Sequence, residues 1–290
     1  MSESVSLNVI EAADVISLPA EEQAAAFVNG TKSLHALMEV TVCSVIMGQV
    51  GKSDIEEAIA ATFYRITLLL RGVAILEEPA HFQIANSVAR TIFELVIDLK
   101  SLCDDPSLAA KFLAFTRVVK FRKAEQLSGF LNANPSVDRS PHQHALSFAS
   151  DPQRKQEVEQ LCIKHWGPNK NGQPNWPDHW SGRNIADRAH DAGLEFEEAY
   201  RSQFFLQSQY VHAGPAGIQD LPWEALICSF GVAHRLMQQL SANATELVGG
   251  VFHLFDATPE LREWLHKASS ASGFYAVEAV LQKQNQGSFV

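Results

Sequence analysis

The stretch from Ile84 to Leu102 constrains the fold more than any other, because it predicts one long helix that is apolar around most of its circumference. At the helical period of 3.6 residues, side chains such as Val88, Phe93 and Leu99 cover nearly every side of it. A helix of this kind is buried at the centre of a helical protein. We therefore predict that the remaining elements pack around this segment.

A thin polar stripe interrupts the apolar surface of the central helix at spacings of three and four residues. Its members are Ser87, Arg90, Glu94, Asp98 and Ser101. Arg90 and Glu94 are one turn apart, so their side chains are neighbours on one face. Buried charges are rare unless they are paired. The stripe therefore predicts polar partners from another element, which we expect around Tyr210 and His212.

Helical periodicity recurs along most of the chain, whereas no segment shows convincing β alternation bounded by turn residues. Ser53, with Glu56 three residues later, has the pattern of a capping box at a helix start. Helices are predicted over residues 21–47, 53–76, 84–102, 107–131, 152–165, 181–192, 196–212, 222–248 and 259–271. We predict an all-α fold, an irregular bundle of about eight helices with a long loop region rich in Trp, Pro and Asn.

The domain organisation is predicted from changes in composition. We expect an N-terminal lead over 1–20, a single all-α domain over 21–272 and a C-terminal tail over 273–290. Residues 132–182 read as a loop-rich insertion in that domain, since Asn, Pro, Ser, Gly and Trp are frequent there. Its three tryptophans should order the second part, because large aromatic side chains are costly to expose: Trp166, Trp176 and Trp180.

Charge and cysteine usage narrow the class of protein. The formal net charge of −10 disfavours broad nucleic-acid binding, although it leaves room for a local basic cleft. The outer face of the 107–131 helix carries the notable positive cluster: Lys111, Arg117, Lys120, Arg122 and Lys123. Four scattered cysteines favour reduced thiols and a cytoplasmic location. No uncharged apolar run reaches 18 residues, so we expect no membrane span.

The helix predicted over 196–212 supplies the second half of a candidate site. Arg201, Ser208 and His212 fall within about 40° of one another at 100° per residue. His212 precedes a Gly-Pro break, and at a helix C-terminus the dipole favours the imidazolium form, which suits general acid–base work. The candidate catalytic residues are therefore His212, Arg90, Glu94, Arg201 and Ser208. Structural readings stay open, with His212 as a helix cap and Arg90 with Glu94 as a buried ion pair.

Motifs for cofactors and metals are missing from the sequence. His142 and His144 flank one residue. Cys162, His165 and His179 lie in or beside residues 166–184, which contain the three tryptophans and which we call the tryptophan segment. None of these spacings matches a zinc pattern. The chain also has no P-loop, no GxGxxG and no GxSxG. We therefore expect no cofactor and no metal.

Three segments follow one another in a recognisable order: ARTIFELVIDLKSL in the central helix, HWSGRNIADRAHDAG at 179–193 and SQYVHAG at 208–214. Together they resemble a bacterial family of unknown function, numbered 5677. Its Arg-xxx-Glu, Trp-x-Gly and Ser-xx-Val-His patterns fall on these residues: Arg90 with Glu94, Trp180 with Gly182, and Ser208 with Val211 and His212. The resemblance spans roughly residues 30–248, and it implies a fold and the position of a site without an activity.

A more distant similarity is to the HEPN helical superfamily, many members of which are metal-independent ribonucleases that work as dimers. Their signature is an Arg followed, after four to six residues, by a His near a helix end. Arg183 and His190 match this spacing, whereas Arg201 and His212 depart from it. For a catalytic pair we favour His212 with Arg90 from the central helix over the match in spacing.

Two classes of function stay open. The first is a binding or regulatory module that forms a homodimer and binds a partner or small ligand in a polar cleft between the central helix and the His212 helix. The second is a metal-independent, HEPN-like ribonuclease in stress or phage defence, with His212 as acid–base and Arg90 or Arg201 stabilising phosphate charge on RNA. The acidic net charge favours the first class, and the convergence of polar residues on core helices favours the second.

Overall fold

The structure is a computed structural model, and it describes most of the helical part of the chain. The described residues are 4–10, 18–43, 46, 53–204, 207–208, 222–254, 265 and 276–282, the two strands among them by their backbone only.

Nine α-helices account for most of the described residues. They are α1 (Ala20–Leu37), α2 (Asp54–Val73), α3 (Phe82–Asp104), α4 (Ala109–Ala133), α5 (Gln143–Ser150), α6 (Pro152–Trp166), α7 (Ile185–Ala192), α8 (Leu194–Ala199) and α9 (Trp223–Val251). Two segments are π-helical, Met38–Cys43 after α1 and Tyr200–Phe204 after α8. Short 3-10 turns precede α3, α4 and α5. The predicted all-α class is thereby confirmed.

A two-stranded ribbon joins segments near the two ends of the chain. Strand β1 (Ser4–Ile10) pairs antiparallel with β2 (Ala276–Gln282), with Ser4 opposite Gln282. Sequence reasoning did not predict this ribbon, because its strands are not joined by a hairpin turn. Apolar residues do alternate at Val5, Leu7 and Val9, the pattern of a half-buried strand.

The chain forms two compact units, residues 1–105 with 188–290, and residues 106–187. We call them the first unit and the second unit. The predicted single domain over 21–272 stays a prediction.

Helices α3 and α9 form the centre of the first unit. The predicted burial of α3 is observed, since Phe93, Val96 and Leu99 are almost or fully buried. Ile84 is an exception at 50% exposed. It lies two residues from the buried Phe82 and Asn86, which is about 200° around the helix, so it points away from α9. Asn86 ties the two helices together, because its amide nitrogen donates to Ser229 Oγ at 3.2 Å.

Helix α2 begins as its sequence predicts. Ser53 is the N-cap, and its hydroxyl oxygen accepts from the Glu56 backbone N–H at 3.3 Å. Such a cap satisfies one of the free donors of the first turn and contributes about 1 kcal/mol.

The second unit is built on α4 and α6 with a small apolar centre. Val118, Phe121, Val158 and Cys162 are buried there, with Phe148, Trp166 and Trp176 packed against them. The prediction of a loop over the first part of the insertion is wrong for Gln143–Ser150, because these residues form α5. Phe148 explains the helix, since one apolar side chain can anchor this short amphipathic segment on Phe121 at a ring distance of 6.2 Å.

The tryptophan segment is ordered, as predicted, and α4 contributes to this. Trp180 is buried, and Trp166 Nε1 donates to the Trp180 carbonyl at 2.8 Å. Lys111 and Arg122, expected on a solvated outer face, donate instead to the carbonyls of Ser181 (3.2 Å) and Pro177 (2.5 Å). Long cationic side chains can lie along an apolar surface and reach such acceptors with their polar ends.

Candidate functional site

The polar stripe of α3 meets an arginine from α7. Arg188 Nη1 donates to Asp98 Oδ1 at 2.6 Å, and its Nη2 lies 3.7 Å from Glu94 Oε2. Glu94 Oε1 lies 3.5 Å from Arg90 Nε, so the four charges alternate in sign along one row. We call these four residues the ionic cluster.

Burial makes the Arg188–Asp98 pair the anchor of this cluster. Their side chains are only 6% and 9% exposed, whereas that of Glu94 is 37% exposed. Asp98 and Glu94 are one turn apart on α3, which places both carboxylates within reach of a single guanidinium. A buried charge that lost its partner would be strongly destabilising, so Arg188 and Asp98 depend on each other.

Aromatic side chains pack α8 and the π-helical segment against α3. The Phe93 ring lies 6.5 Å from that of Phe196 and 5.4 Å from that of Phe204. The Arg90 guanidinium carbon is 4.7 Å from the Phe204 ring centroid, a cation–π distance. The stripe and the segment that leads to His212 therefore come together at Arg90 and Phe204.

Several buried polar atoms of α7 and of the segment after α8 have no hydrogen-bond partner among the described residues. They are Arg188 Nε, Gln203 Oε1, and both amide atoms of Gln207. Gln207 is 1% exposed and lies three residues after Phe204. Buried polar groups in folded proteins are nearly always paired, so each such atom calls for an explanation.

The predicted convergence of Arg201, Ser208 and His212 rested on one regular helix over 196–212. That helix is wrong for residues 200–204, where the backbone is π-helical and the 100° spacing between residues no longer applies. Arg201 is exposed, and Ser208 Oγ donates to the Phe204 carbonyl at 2.8 Å. His212 and Tyr210, the expected partners of the stripe, lie outside the described residues.

A second polar group involves α7 and α8. His190 Nδ1 lies 2.8 Å from Glu197 Oε2, and Arg201 donates to Glu197 Oε1 from Nη2 at 2.6 Å and from Nε at 2.9 Å. These hydrogen bonds, that from His190 first, lower the pKa of the Glu197 carboxyl. A carboxylate that orients an imidazole is the arrangement of acid–base dyads, although His190 is 71% exposed.

Sequence reasoning missed Arg188 and Gln207, and it gave His190 no role beyond a match in spacing. Arg188 lies in a short helix with Ala189 and Ala192, which are both buried. A charged residue on the apolar face of a short amphipathic helix is the signal that could have revealed it.

Metal ligands do not cluster in the part of the chain that the structure describes. No group of three or more His, Cys, Asp or Glu side chains there could hold a metal ion. The four cysteines are free thiols. None of the described helices is long and apolar enough to cross a membrane.

Comparison with known proteins places the chain in a family. No curated protein and no solved structure matches it. The model of a family of unknown function, DUF5677, matches residues 56–223, which is more than half of the chain and includes α3, α7 and Gln207. The protein therefore belongs to this family of unknown function.

Proposed function

We propose that the protein is a binding module whose ligand contacts the ionic cluster and Gln207. The observation that carries this proposal is the set of buried polar atoms without a partner among the described residues, above all the two amide atoms of Gln207. Leaving such a group unpaired costs about 1–3 kcal/mol, a cost that a ligand with matching groups would remove.

The unpaired atoms define the chemistry of the ligand. Arg188 Nε and the Gln207 amide nitrogen are donors that need acceptors, whereas the oxygens of Gln203 and Gln207 need donors. The four charges of the ionic cluster already balance, so we infer an uncharged ligand. A small ring with donors and acceptors on one edge, such as a nucleobase, fits these needs beside Phe93 and Phe204.

The test measures stability and binding in the same variant. Gln207→Leu removes the unpaired amide, so the free protein should melt at a higher temperature. Binding of the four ribonucleosides, followed by calorimetry, should weaken at least tenfold if one of them is the ligand class. Gln126→Leu, at an exposed position on α4, is the control for the loss of an amide. A higher melting temperature with no nucleoside bound by either protein would contradict the proposal.

The proposal includes a homodimer, which an exposed apolar patch at the C-terminal half of α2 supports. Tyr64 and Leu68, one turn apart on α2, are 49% and 47% exposed, and Ile75, just past the end of the helix, is 74% exposed. Leu68→Glu should convert a dimer to a monomer in light scattering after size exclusion. Ile84→Glu, the same change at an exposed position on α3, should leave the dimer intact, and a monomeric unmutated protein would contradict this part.

A second candidate function is metal-independent cleavage of RNA, of the kind found in HEPN-like enzymes of stress or phage defence. One observation favours it, the His190–Glu197 dyad with Arg201 on the same carboxylate. In this candidate His190 or His212 transfers the proton, and Arg90 or Arg201 stabilises phosphate charge. The free thiols support a cytoplasmic location for either function.

RNA cleavage in EDTA by the purified protein tests this candidate. His212→Ala, His190→Ala and Arg90→Ala should each be compared with the unmutated protein, and melting temperatures recorded for all four. Loss of cleavage at an unchanged melting temperature would assign the catalytic histidine. Absence of cleavage by the unmutated protein on structured and unstructured RNAs would exclude the candidate.

A further inference from the structure

The charge of this acidic protein is divided unequally between its two units. Residues 106–187 contain 11 of the 23 Lys and Arg residues but only seven of the 33 Asp and Glu residues. This second unit therefore has a formal charge of +4, and the rest of the chain has −14. A charge asymmetry of this size within one chain points to an anionic partner for the basic part.

Four of the eleven basic residues of the second unit lie on two of its helices, around a pocket and an aromatic ring. An open pocket of about 310 Å³ lies between α4 and α6, and it is lined by Arg117, Glu157, Gln160, Leu161 and Lys164. Lys120 of α4 and Arg154 of α6 both lie over the ring of Phe148, at 5.1 and 4.1 Å from its centroid. We call Arg117, Lys120, Arg154 and Lys164 the basic seam.

The cations of the seam are only partly neutralised. Arg154 Nε lies 3.8 Å from Asp151, and Glu157 is the acidic side chain of the pocket. Arg117 and Lys164 have no ion pair among the described residues. The pKa of His165, next to Lys164, is lowered by burial first and then by the positive charges of Lys164 and Lys111. The local field at this side chain is therefore positive as well.

We propose that the basic seam binds single-stranded nucleic acid, with the phosphate backbone along the seam and one nucleotide in the pocket. Lys164 follows Arg154 by ten positions, a rise of about 15 Å along α6, which is long enough for more than one phosphate. The volume of the pocket lies at the lower end of the range that is typical of ligand sites. Its polar groups, Gln160 and Glu157, can contact base edges only where a strand is unpaired.

This inference concerns the second unit and does not depend on the ligand proposed for the ionic cluster. An acidic protein segment would satisfy the cations but would leave the base-sized pocket unused. An anionic membrane would need a group of apolar anchors beside the seam. This unit, all of whose residues are described, has two large exposed apolar side chains, and they lie on different helices: Phe130 on α4 and Ile163 on α6. The pocket beside the cations therefore favours a nucleic acid.

The experiment uses the full chain and a fluorescein-labelled 20-nucleotide single-stranded RNA, with anisotropy measured from 50 to 200 mM salt. We expect binding that weakens steeply with salt, because each phosphate contact releases counterions. The double variant Arg117→Glu/Lys164→Glu should weaken binding at least tenfold and flatten the salt dependence. Arg65→Glu, an exposed reversal on α2, is the control and should change binding less than twofold.

Three further arms decide the class of partner. Single-stranded DNA of the same length should compete, whereas polyglutamate and phosphatidylserine vesicles should not. Gln207→Leu should leave RNA binding unchanged, which separates this inference from the function proposed for the ionic cluster. Undetectable RNA binding at 50 mM salt, an unchanged affinity in the double variant, or equal competition by polyglutamate or vesicles would each overturn the inference.

Discussion

The first unit contains two buried polar clusters that solve the same physical problem in different ways. The ionic cluster joins α3 to α7 with full charges, and its outer members, Arg90 and Glu94, are partly exposed. The neutral cluster joins α1 to α9: His234 Nδ1 lies 2.8 Å from Thr31 Oγ1, and Gln238 Nε2 donates to the Phe27 carbonyl at 2.9 Å.

The imidazole of His234 is hydrogen-bonded through one of its two ring nitrogens. Its Nδ1 shares a hydrogen bond with the Thr31 hydroxyl, which also lies 3.1 Å from the Phe27 carbonyl. His234 Nε2 has no partner among the described residues. Burial lowers the pKa of this imidazole to about 3, so the cluster is neutral at physiological pH.

The difference between the clusters indicates where ligand chemistry belongs. The neutral cluster is fully enclosed, and Gly231 lets α9 approach α1 so closely that a Cβ there would lie 2.4 Å from the Phe27 ring. The ionic cluster is partly exposed at Arg90 and Glu94, and its Arg188 keeps a donor, Nε, that has no partner among the described residues. A closed neutral network serves packing, whereas an open charged one can also exchange partners.

The largest effect should follow from breaking the buried ion pair. Arg188→Met removes the guanidinium that donates to the buried Asp98 carboxylate, and the free energy of unfolding should fall by about 3–5 kcal/mol. Arg188→Met/Asp98→Leu removes both charges and should recover most of that loss. Urea unfolding at pH 7 measures both variants. A double variant as unstable as the single one would show that the charges are needed for more than each other.

The neutral cluster should respond to pH. Because the folded pKa of His234 is about 3 and the unfolded value is 6.5, the unfolded chain binds more protons between these limits. Stability is therefore fully present above pH 6.5 and is lost as pH falls, by about 3 kcal/mol at pH 4. Urea unfolding at pH 7 and pH 4 measures this loss. His234→Gln cannot titrate and should lose about 3 kcal/mol less over the same interval; an equal loss would contradict the assignment.

Removing the hydroxyl of the neutral cluster should have an intermediate effect. Thr31→Val keeps the shape of the side chain but takes away the hydrogen-bond partner of His234 Nδ1, and the free energy of unfolding should fall by about 2 kcal/mol. Thr62→Val is the matched control, since the Thr62 hydroxyl only donates to the Ala58 carbonyl of its own helix. Equal losses in the two variants would mean that the contact between helices contributes nothing of its own.

The smallest effect is expected at an exposed ion pair on the same helix as the ionic cluster. Lys100 Nζ lies 2.6 Å from Asp104 Oδ1 at the end of α3, and Asp104 is 53% exposed. Lys100→Ala should lower the free energy of unfolding by no more than about 0.5 kcal/mol, and the effect should shrink in high salt. Thermal unfolding in 0.05 and 0.5 M salt tests whether burial, rather than charge alone, distinguishes the Arg188 pair.

Much of the helical fold could be predicted because its signals are local. The apolar period of α3, the Ser53 cap and the Asp-Pro break after α3 all act within a few residues. The pairing of Arg90 with Glu94 was foreseeable for the same reason, since it depends only on helical spacing.

The partner of the polar stripe could not be predicted in this way. Arg188 lies 90 positions beyond Asp98, and nothing in the spacing distinguishes it from Arg183 or Arg201. The π-helical segment after α8 changes which side chains share a face. The predicted common face of Arg201 and Ser208 assumed a regular α-helix, which the chain does not form at residues 200–204. The β1–β2 ribbon likewise depends on strands from near opposite ends of the chain.

The sequence by itself determined the helical class, the central place of α3, the membership of a family of unknown function and the acidic net charge, because each is a property of local pattern or of composition. Only the tertiary structure decided that Arg188 joins Asp98 and Glu94, that His234 is held neutral, that Lys111 and Arg122 bind the tryptophan segment and that the basic seam lies between α4 and α6. The physical reason is that burial and pairing depend on residues distant in the chain, and folding alone brings them within a few ångströms.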